Sequence, residues 1–342
     1  MTTRQKLIPA AAAAALLLSA CGGDSGAGAG QGTGDHSPEV EELIAEAQEG
    51  DPVVFYSMID ESALRTITEE FTELYGVEVR PVRLVTSDLQ QRYSTETDDG
   101  TAVADIILTT HSPFFTEALD SGWLASMDDV EIPTVDEELP EEYWADDGEI
   151  PIASLVPTTA VVNTDELSGG LETWEDYADP QHTGSLLLAE PDSSPANAAF
   201  WSLMREEYGD DFLEAIAAND PRWSDSAVPV TQAVAAGESV LGHPGVSAII
   251  DNLTAEGAPI EEVELTPTTG PEAGIGISAD SPNQAGALLL AAFLLSAEGN
   301  ELLNDVTSAI SPYDEEAGEG FTRTEDISDV DNDEIRDLLG LN

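Results

Sequence analysis

Between Val53 and Gly122, short apolar runs alternate with stretches whose apolar residues recur at helical spacing. Val53-Val54-Phe55-Tyr56 has the length and character of a buried strand. Asp60 or Ser62 is placed to cap a helix running to Tyr75, with Leu64, Ile67, Phe71 and Leu74 on one face and Gly76 as its stop. The segment 77–85 alternates as a second strand, 88–97 reads as helix, and 104–108 is a third apolar strand. A short helix over 113–121 ends at Gly122. Such a βαβαβα series implies a parallel sheet covered on both faces. A second α/β set follows from Trp174 onward, after an acidic excursion over 132–148 and an extended stretch over 152–163. The apolar helix over 282–295 and a further one over 297–306 follow. From Asp314 the chain is acidic and is expected to wrap the surface.

Nothing but a hydrophobic core can hold this fold, because the 342 residues include one cysteine, Cys21, and no intramolecular disulfide is possible. The length suits about two domains and is ample for such a core. The formal net charge of -59, from 69 Asp+Glu against 10 Lys+Arg, excludes nucleic acid as a partner, since phosphate backbones demand many cations. It also excludes an electrostatic grip on anionic lipid. The self-repulsion that follows is relieved by salt, which fits either a salty environment or an acidic secreted protein from a lysine-poor proteome.

The N-terminus reads as an address. Arg4 and Lys6 precede an apolar run over 7–18, and Leu18-Ser19-Ala20-Cys21 closes it. Positive, apolar and small-residue segments in that order form a secretory signal peptide over 1–20, too short to be a good membrane span. The last four residues resemble a bacterial lipobox, so Cys21 is expected to carry acyl chains that anchor the protein to the outer face of the cytoplasmic membrane. Residues 21–38, rich in Gly, Ala and Ser, form a flexible linker beyond it.

In their order, several stretches resemble a known family. They are Val53-Val54-Phe55-Tyr56-Ser57, Phe71-Thr72-Glu73-Leu74-Tyr75-Gly76-Val77-Glu78-Val79, Ala104-Asp105-Ile106-Ile107-Leu108 and Val161-Val162-Asn163-Thr164. Thr173-Trp174-Glu175-Asp176-Tyr177-Ala178-Asp179-Pro180 and Ala235-Ala236-Gly237-Glu238 continue the series. Ser281-Pro282-Asn283-Gln284-Ala285 and Phe293-Leu294-Leu295-Ser296-Ala297-Glu298-Gly299 complete it. The chain resembles, from about residue 53 to 314, the extracellular solute-binding proteins of the ferric-iron, thiamine and phosphonate type. The resemblance implies a two-lobed α/β fold of the periplasmic-binding-protein type 2. Two mixed sheets with flanking helices would be joined by extended hinge crossovers near 157–163 and 269–277. Lobe 1 would be discontinuous (39–156 and 273–325), lobe 2 would span 157–272, and 326–342 would be an acidic tail. The implied partners are a small-molecule or ion ligand and an ABC permease with its ATPase. The protein is expected to be a monomer without cofactor.

Ligands of open α/β sheets sit off the carboxyl ends of strands, where helix N-termini present free N–H groups. Four loops qualify: Ser57 to Asp60, Thr110-His111 with their neighbours, Ser193-Ser194 ahead of the next helix, and His243 beside Pro244. The resemblance adds Trp223 and Ser226. Asp60, Ser193 and Ser194 read equally as helix caps, His111 as a satisfied surface group, His243 as a turn residue and Trp223 as a packed aromatic. Ferric-binding members of the family typically use adjacent tyrosines in the stretch that here reads Gly242-His243-Pro244-Gly245-Val246-Ser247, and no adjacent tyrosines occur in this chain. A small polar or anionic ligand, or a metal complex, is therefore expected, with ferric iron as the alternative. No Gly-x-Ser-x-Gly, His-Glu-x-x-His or phosphate loop occurs, so an enzyme is not expected. A cell-surface hydrolase or a structural lipoprotein are the readings of another class.

Overall fold

The structure is a computed structural model, described over residues 37–127, 129–167, 169, 171–327 and 332–341. The expected signal peptide, Cys21 and nearly all of the linker lie outside the described residues. The elements run in chain order α1 (Pro38–Glu49), β1 (Val53–Ser57), α2 (Glu61–Tyr75), β2 (Val79–Arg83), α3 (Thr86–Asp98), β3 (Ile106–Thr110) and α4 (Pro113–Asp120). They continue with β4 (Trp144–Ala145), β5 (Ile150–Leu155), β6 (Ala160–Asn163), β7 (Leu186–Ala189), α5 (Pro195–Tyr208), α6 (Asp210–Ala218) and β8 (Arg222–Ser224). Then come α7 (Ala227–Ala235), β9 (Leu241–His243), α8 (Ser247–Ala255), β10 (Ile260–Val263), β11 (Glu272–Ile277), α9 (Gln284–Leu294), α10 (Ala297–Thr307), α11 (Glu315–Gly318) and α12 (Asn332–Leu338).

Two mixed sheets result, ordered β2-β1-β3-β11-β5-β4 and β10-β6-β9-β7-β8. The first draws on residues before 156 and on β11, so this lobe is discontinuous. Its two faces carry separate cores. One joins Phe55, Ile67, Phe71, Phe293 and Leu303, brought by α1, α2, α9 and α10. The other joins Tyr56, Leu89, Tyr93, Phe115 and Ile152, under α3 and α4. In the second lobe Trp174, Phe200, Met204 and Leu213 pack one face, and Val161, Val230, Val234 and Ile250 the other.

Stretches quoted above for the family resemblance meet in space. Asp105 is buried, and its carboxylate accepts from Val54 N (2.7 Å), Ser281 Oγ (2.6 Å) and Asn283 N (3.0 Å). Asn283 in turn caps α9 through Gly286 N (2.9 Å) and donates to Asp51 O (2.6 Å). An unpaired buried carboxylate is costly, so this side chain is retained by three donors that tie β1, β3 and α9 together.

Three expectations are corrected. The crossovers fall earlier than expected, at 156–159 and 264–271, because 160–163 and 272–277 are regular ladder in β6 and β11. The acidic excursion contributes an edge strand, β4, paired with β5. The tail is not merely acidic surface: Ile335 of α12 and Leu339 just after it are buried in the second lobe's core.

Candidate functional site

The register of the sheets shows which ends face the crossovers. In the first sheet β11 starts beside the end of β3, with Ala273 opposite Thr110, and Glu272 opposite Leu155 at the end of β5. In the second, Ala160 at the start of β6 pairs with Val263 at the end of β10, while Val161 pairs with Gly242 of β9. Gly245 N donates to Thr159 O (2.8 Å). Both crossovers therefore run from the Thr110–His111 end of one sheet to the His243–Gly245 end of the other. The carboxyl ends of β1 and β3 in lobe 1, and of β7, β8 and β9 in lobe 2, lie on this crossover side. The crossovers are bonded to each other through Thr158 N to Thr269 O (3.0 Å) and Val156 N to Pro271 O (2.9 Å). Gly270 is required there, since a Cβ would stand 2.0 Å from Val156 O.

The lobe 1 side is a connected polar cluster. Thr110 Oγ1 lies 3.1 Å from Thr86 Oγ1, at the start of α3, and 3.2 Å from Met58 Sδ. Gln90 donates to Thr110 O (3.1 Å) and Ser112 Oγ (3.2 Å). His111 Nε2 lies 2.8 Å from Asp146 Oδ2, and its ring stacks on Phe115. Asp146 Oδ1 also accepts from Thr116 (2.7 Å). Asp146 and Asp147 both have positive φ, 50° and 58°. Left-handed backbone at two consecutive non-glycine residues costs about 1–3 kcal/mol each, a strain held where a carboxylate is aimed at the imidazole. Asp60 caps α2 through Ser62 N (2.8 Å) and Ala63 N (3.1 Å). Ser57 is fully buried and its Oγ accepts from Ile59 N (3.3 Å), so it shapes the turn rather than facing solvent.

On the lobe 2 side, Ser194 caps α5 through Asn197 N (3.1 Å). Ser193 Oγ donates to Glu190 O (2.5 Å) and accepts from Asn197 Nδ2 (2.7 Å). Glu190 N donates to Ser224 O (2.9 Å), which joins this loop to the end of β8. Ser226 N and O are both bonded to Ser224 Oγ, so its loop is closed locally. Trp223 is half-buried, its ring 5.8 Å from that of Trp201.

His243 does not join the cluster, which corrects its expected role. It is 2% exposed, stacked on Phe200 at 3.7 Å and set edge-on to Trp174. Burial pushes its imidazole down to about 3, so the ring is neutral. Its Nε2 has no hydrogen-bond partner in the structure.

Sequence reasoning missed Thr86, Gln90 and Asp146. None stands in a distinctive motif. Asp146 is one acid among many in an acidic stretch, and only the fold brings it to His111. None of the loops at Ser57–Asp60, Thr110–His111, Glu190–Ser194, Trp223–Ser226 and His243–Gly245 carries a tyrosine, and the chain has seven. Burial pushes each of them up, Tyr56, Tyr75 and Tyr313 to about 12. Among the described residues no group of three or more His, Cys, Asp and Glu is placed to hold a metal ion.

Residues 66–326 match the family described as bacterial extracellular solute-binding protein. The chain belongs to this family, and its fold is the two-lobed type 2 periplasmic-binding-protein fold. The family is one of binding proteins rather than catalysts, working outside the cytoplasm with an ABC permease and its ATPase. An ABC-transporter substrate-binding protein from Agrobacterium tumefaciens is similar over 87% of this chain and 96% of its own, with TM-score 0.61 at 16% identity. A Bordetella ferric binding protein is similar over 85% and 98%, with TM-score 0.61 at 18% identity. A Trichodesmium protein in complex with iron and citrate ligands is similar over 85% and 98%, with TM-score 0.59 at 16% identity. An uncharacterised Haemophilus influenzae protein is 32% identical over 136 residues, which is 38% of each chain, so this chain spans well under half the length of that curated relative in the match.

Proposed function

We propose that the protein is the solute-binding component of an ABC importer whose cargo is ferric iron held in a complex with a carboxylate or oxyanion chelator. The observation that carries this reading is the pairing of a ferric-protein-like fold with a cleft that has hydroxyls and a His111–Asp146 pair but no phenolate. A trivalent hard ion needs several oxygen ligands. A chelator brings its own, leaving the protein to supply one or two ligands and hydrogen bonds to the chelator. Asp146 and His111 are the groups of lobe 1 suited to the metal. Thr110, Ser194 and Ser226, with the N-termini of α5 and α7, are suited to the chelator's oxygens, while Ser193, whose proton goes to Glu190 O, braces the loop. Arg83, exposed at the end of β2 and in register with Ser57, adds a cation on the same edge. The chain's negative charge disfavours an anionic complex at long range, an effect that salt screens.

Melting of protein stripped of bound solute tests this. Ferric citrate should raise the midpoint by several degrees, because a solute that binds only the folded state stabilises it. Citrate or phosphate alone, thiamine and phosphonates should not. A rise with an oxyanion alone, equal to that with its ferric complex, would replace the iron reading with an oxyanion one.

Lipidation of Cys21 would keep this capture at the membrane surface, and it rests on the Leu18-Ser19-Ala20-Cys21 sequence. Cys21→Ala should move the protein from the membrane pellet to the soluble fraction. An unchanged distribution would contradict the anchor.

A further inference from the structure

The loop 190–194 carries the Ser194 hydroxyl assigned above to the solute, the Ser193 hydroxyl that braces it, and two carboxylates, Glu190 and Asp192. In a chain of net charge -59 such a pair repels both itself and an anionic complex. A single guanidinium offsets one of the two charges. Arg336 Nη1 donates to Glu190 Oε2 (3.1 Å) and Asp192 Oδ2 (2.7 Å), and its Nη2 donates to Leu341 O (3.0 Å). It sits on α12, which is seated by Ile335 and Leu339, 1% and 2% exposed. Arg205 fastens the same helix by bonding Glu334 (3.0 Å) and Asp210 (2.6 Å).

We propose that Arg336 is a positioning residue for the solute: from the C-terminal helix it offsets one of the two charges of Glu190 and Asp192 and fixes the loop in which Ser193 braces Ser194 towards the solute. The inference rests on the reading that this loop contacts the solute. Exposed ion pairs of this kind add little to global stability. The effect of Arg336 is therefore local: it sets the loop's conformation and weakens the negative field beside the hydroxyls. Ser193 Oγ is bonded to Glu190 O, so a displaced Glu190 displaces the hydroxyl with it.

The test uses Arg336→Gln, Arg336→Lys and a triple variant, Arg336→Gln with Glu190→Gln and Asp192→Asn. Amide exchange is followed in the solute-free protein, and affinity is measured for ferric citrate. In Arg336→Gln, the Ser193 amide, which donates to Glu190 O, and the Ala198 amide, which donates to Ser194 O, should exchange about tenfold faster. The remainder of α5 should stay protected and the melting midpoint should hardly move. Ferric citrate should bind about tenfold more weakly, with Arg336→Lys intermediate and the triple variant restored toward wild type. Unchanged exchange in Arg336→Gln overturns the inference whatever the solute proves to be. So does an affinity loss that the triple variant fails to restore. If wild type ignores ferric citrate, the cargo reading fails, and the exchange result still decides whether Arg336 fixes the loop.

Discussion

His243 shows how far a residue's place can depart from its type. Next to a proline, and in the stretch where ferric relatives place tyrosines, it reads as a candidate ligand, yet β9 carries it into the aromatic core of lobe 2. Being buried and neutral, it has a pH signature. Its folded-state value, about 3, lies below the ordinary value near 6.5, so the unfolded chain binds the proton more readily. The stability it contributes is complete above pH 6.5 and is lost as pH falls toward 3. Across that window the loss is on the order of 5 kcal/mol. Chemical unfolding of wild type and His243→Phe between pH 7 and about 4 should show wild type losing stability more steeply than the variant. Parallel curves would mean that His243 is not held neutral in the fold. The carboxylates titrate in both proteins, so the difference isolates the histidine.

At the scale of elements, the sequence was most informative where local chemistry decides. Asp60, Ser112, Ser194, Asn283 and Ser296 each accept a backbone N–H at a helix start, and Gly76 adopts the left-handed geometry that ends α2. The Ser296 to Gly299 turn is legible for the same reason. Ser296 Oγ accepts from Gly299 N (3.1 Å) and donates to Phe293 O (2.7 Å), and a Cβ on Gly299 would stand 2.0 Å from Phe293 O. Only glycine lets α9 and α10 meet so closely. The elements that escaped are short. β4 has two residues and β8 three, lengths at which period-2 alternation has no room to show. Ile335 of α12 and Leu339, the residue after it, stand four apart, the spacing of one helix face, but the acids around them mask it. The helix is held by a core from another part of the chain, which no local window contains.

At the scale of the whole molecule, two successive α/β sets were legible because their alternation is strongly periodic, and their arrangement as two lobes came from the family resemblance. The site was legible only in outline. The loops at strand ends were found from topology, whereas the partners that give them meaning came from elsewhere: Asp146 from an acidic excursion, Arg336 from the tail. The crossovers pass side by side between those loops, and hinge motion about such a pair is the mode by which two lobes close on a solute. Closure is therefore the property on which the whole account depends. The most direct measurement is small-angle X-ray scattering of the solute-free protein, with and without ferric citrate, in salt high enough to screen repulsion between molecules. The account predicts a smaller radius of gyration with ferric citrate and none of that change with citrate alone. An unchanged radius, with the iron complex shown to be bound, would contradict capture between closing lobes.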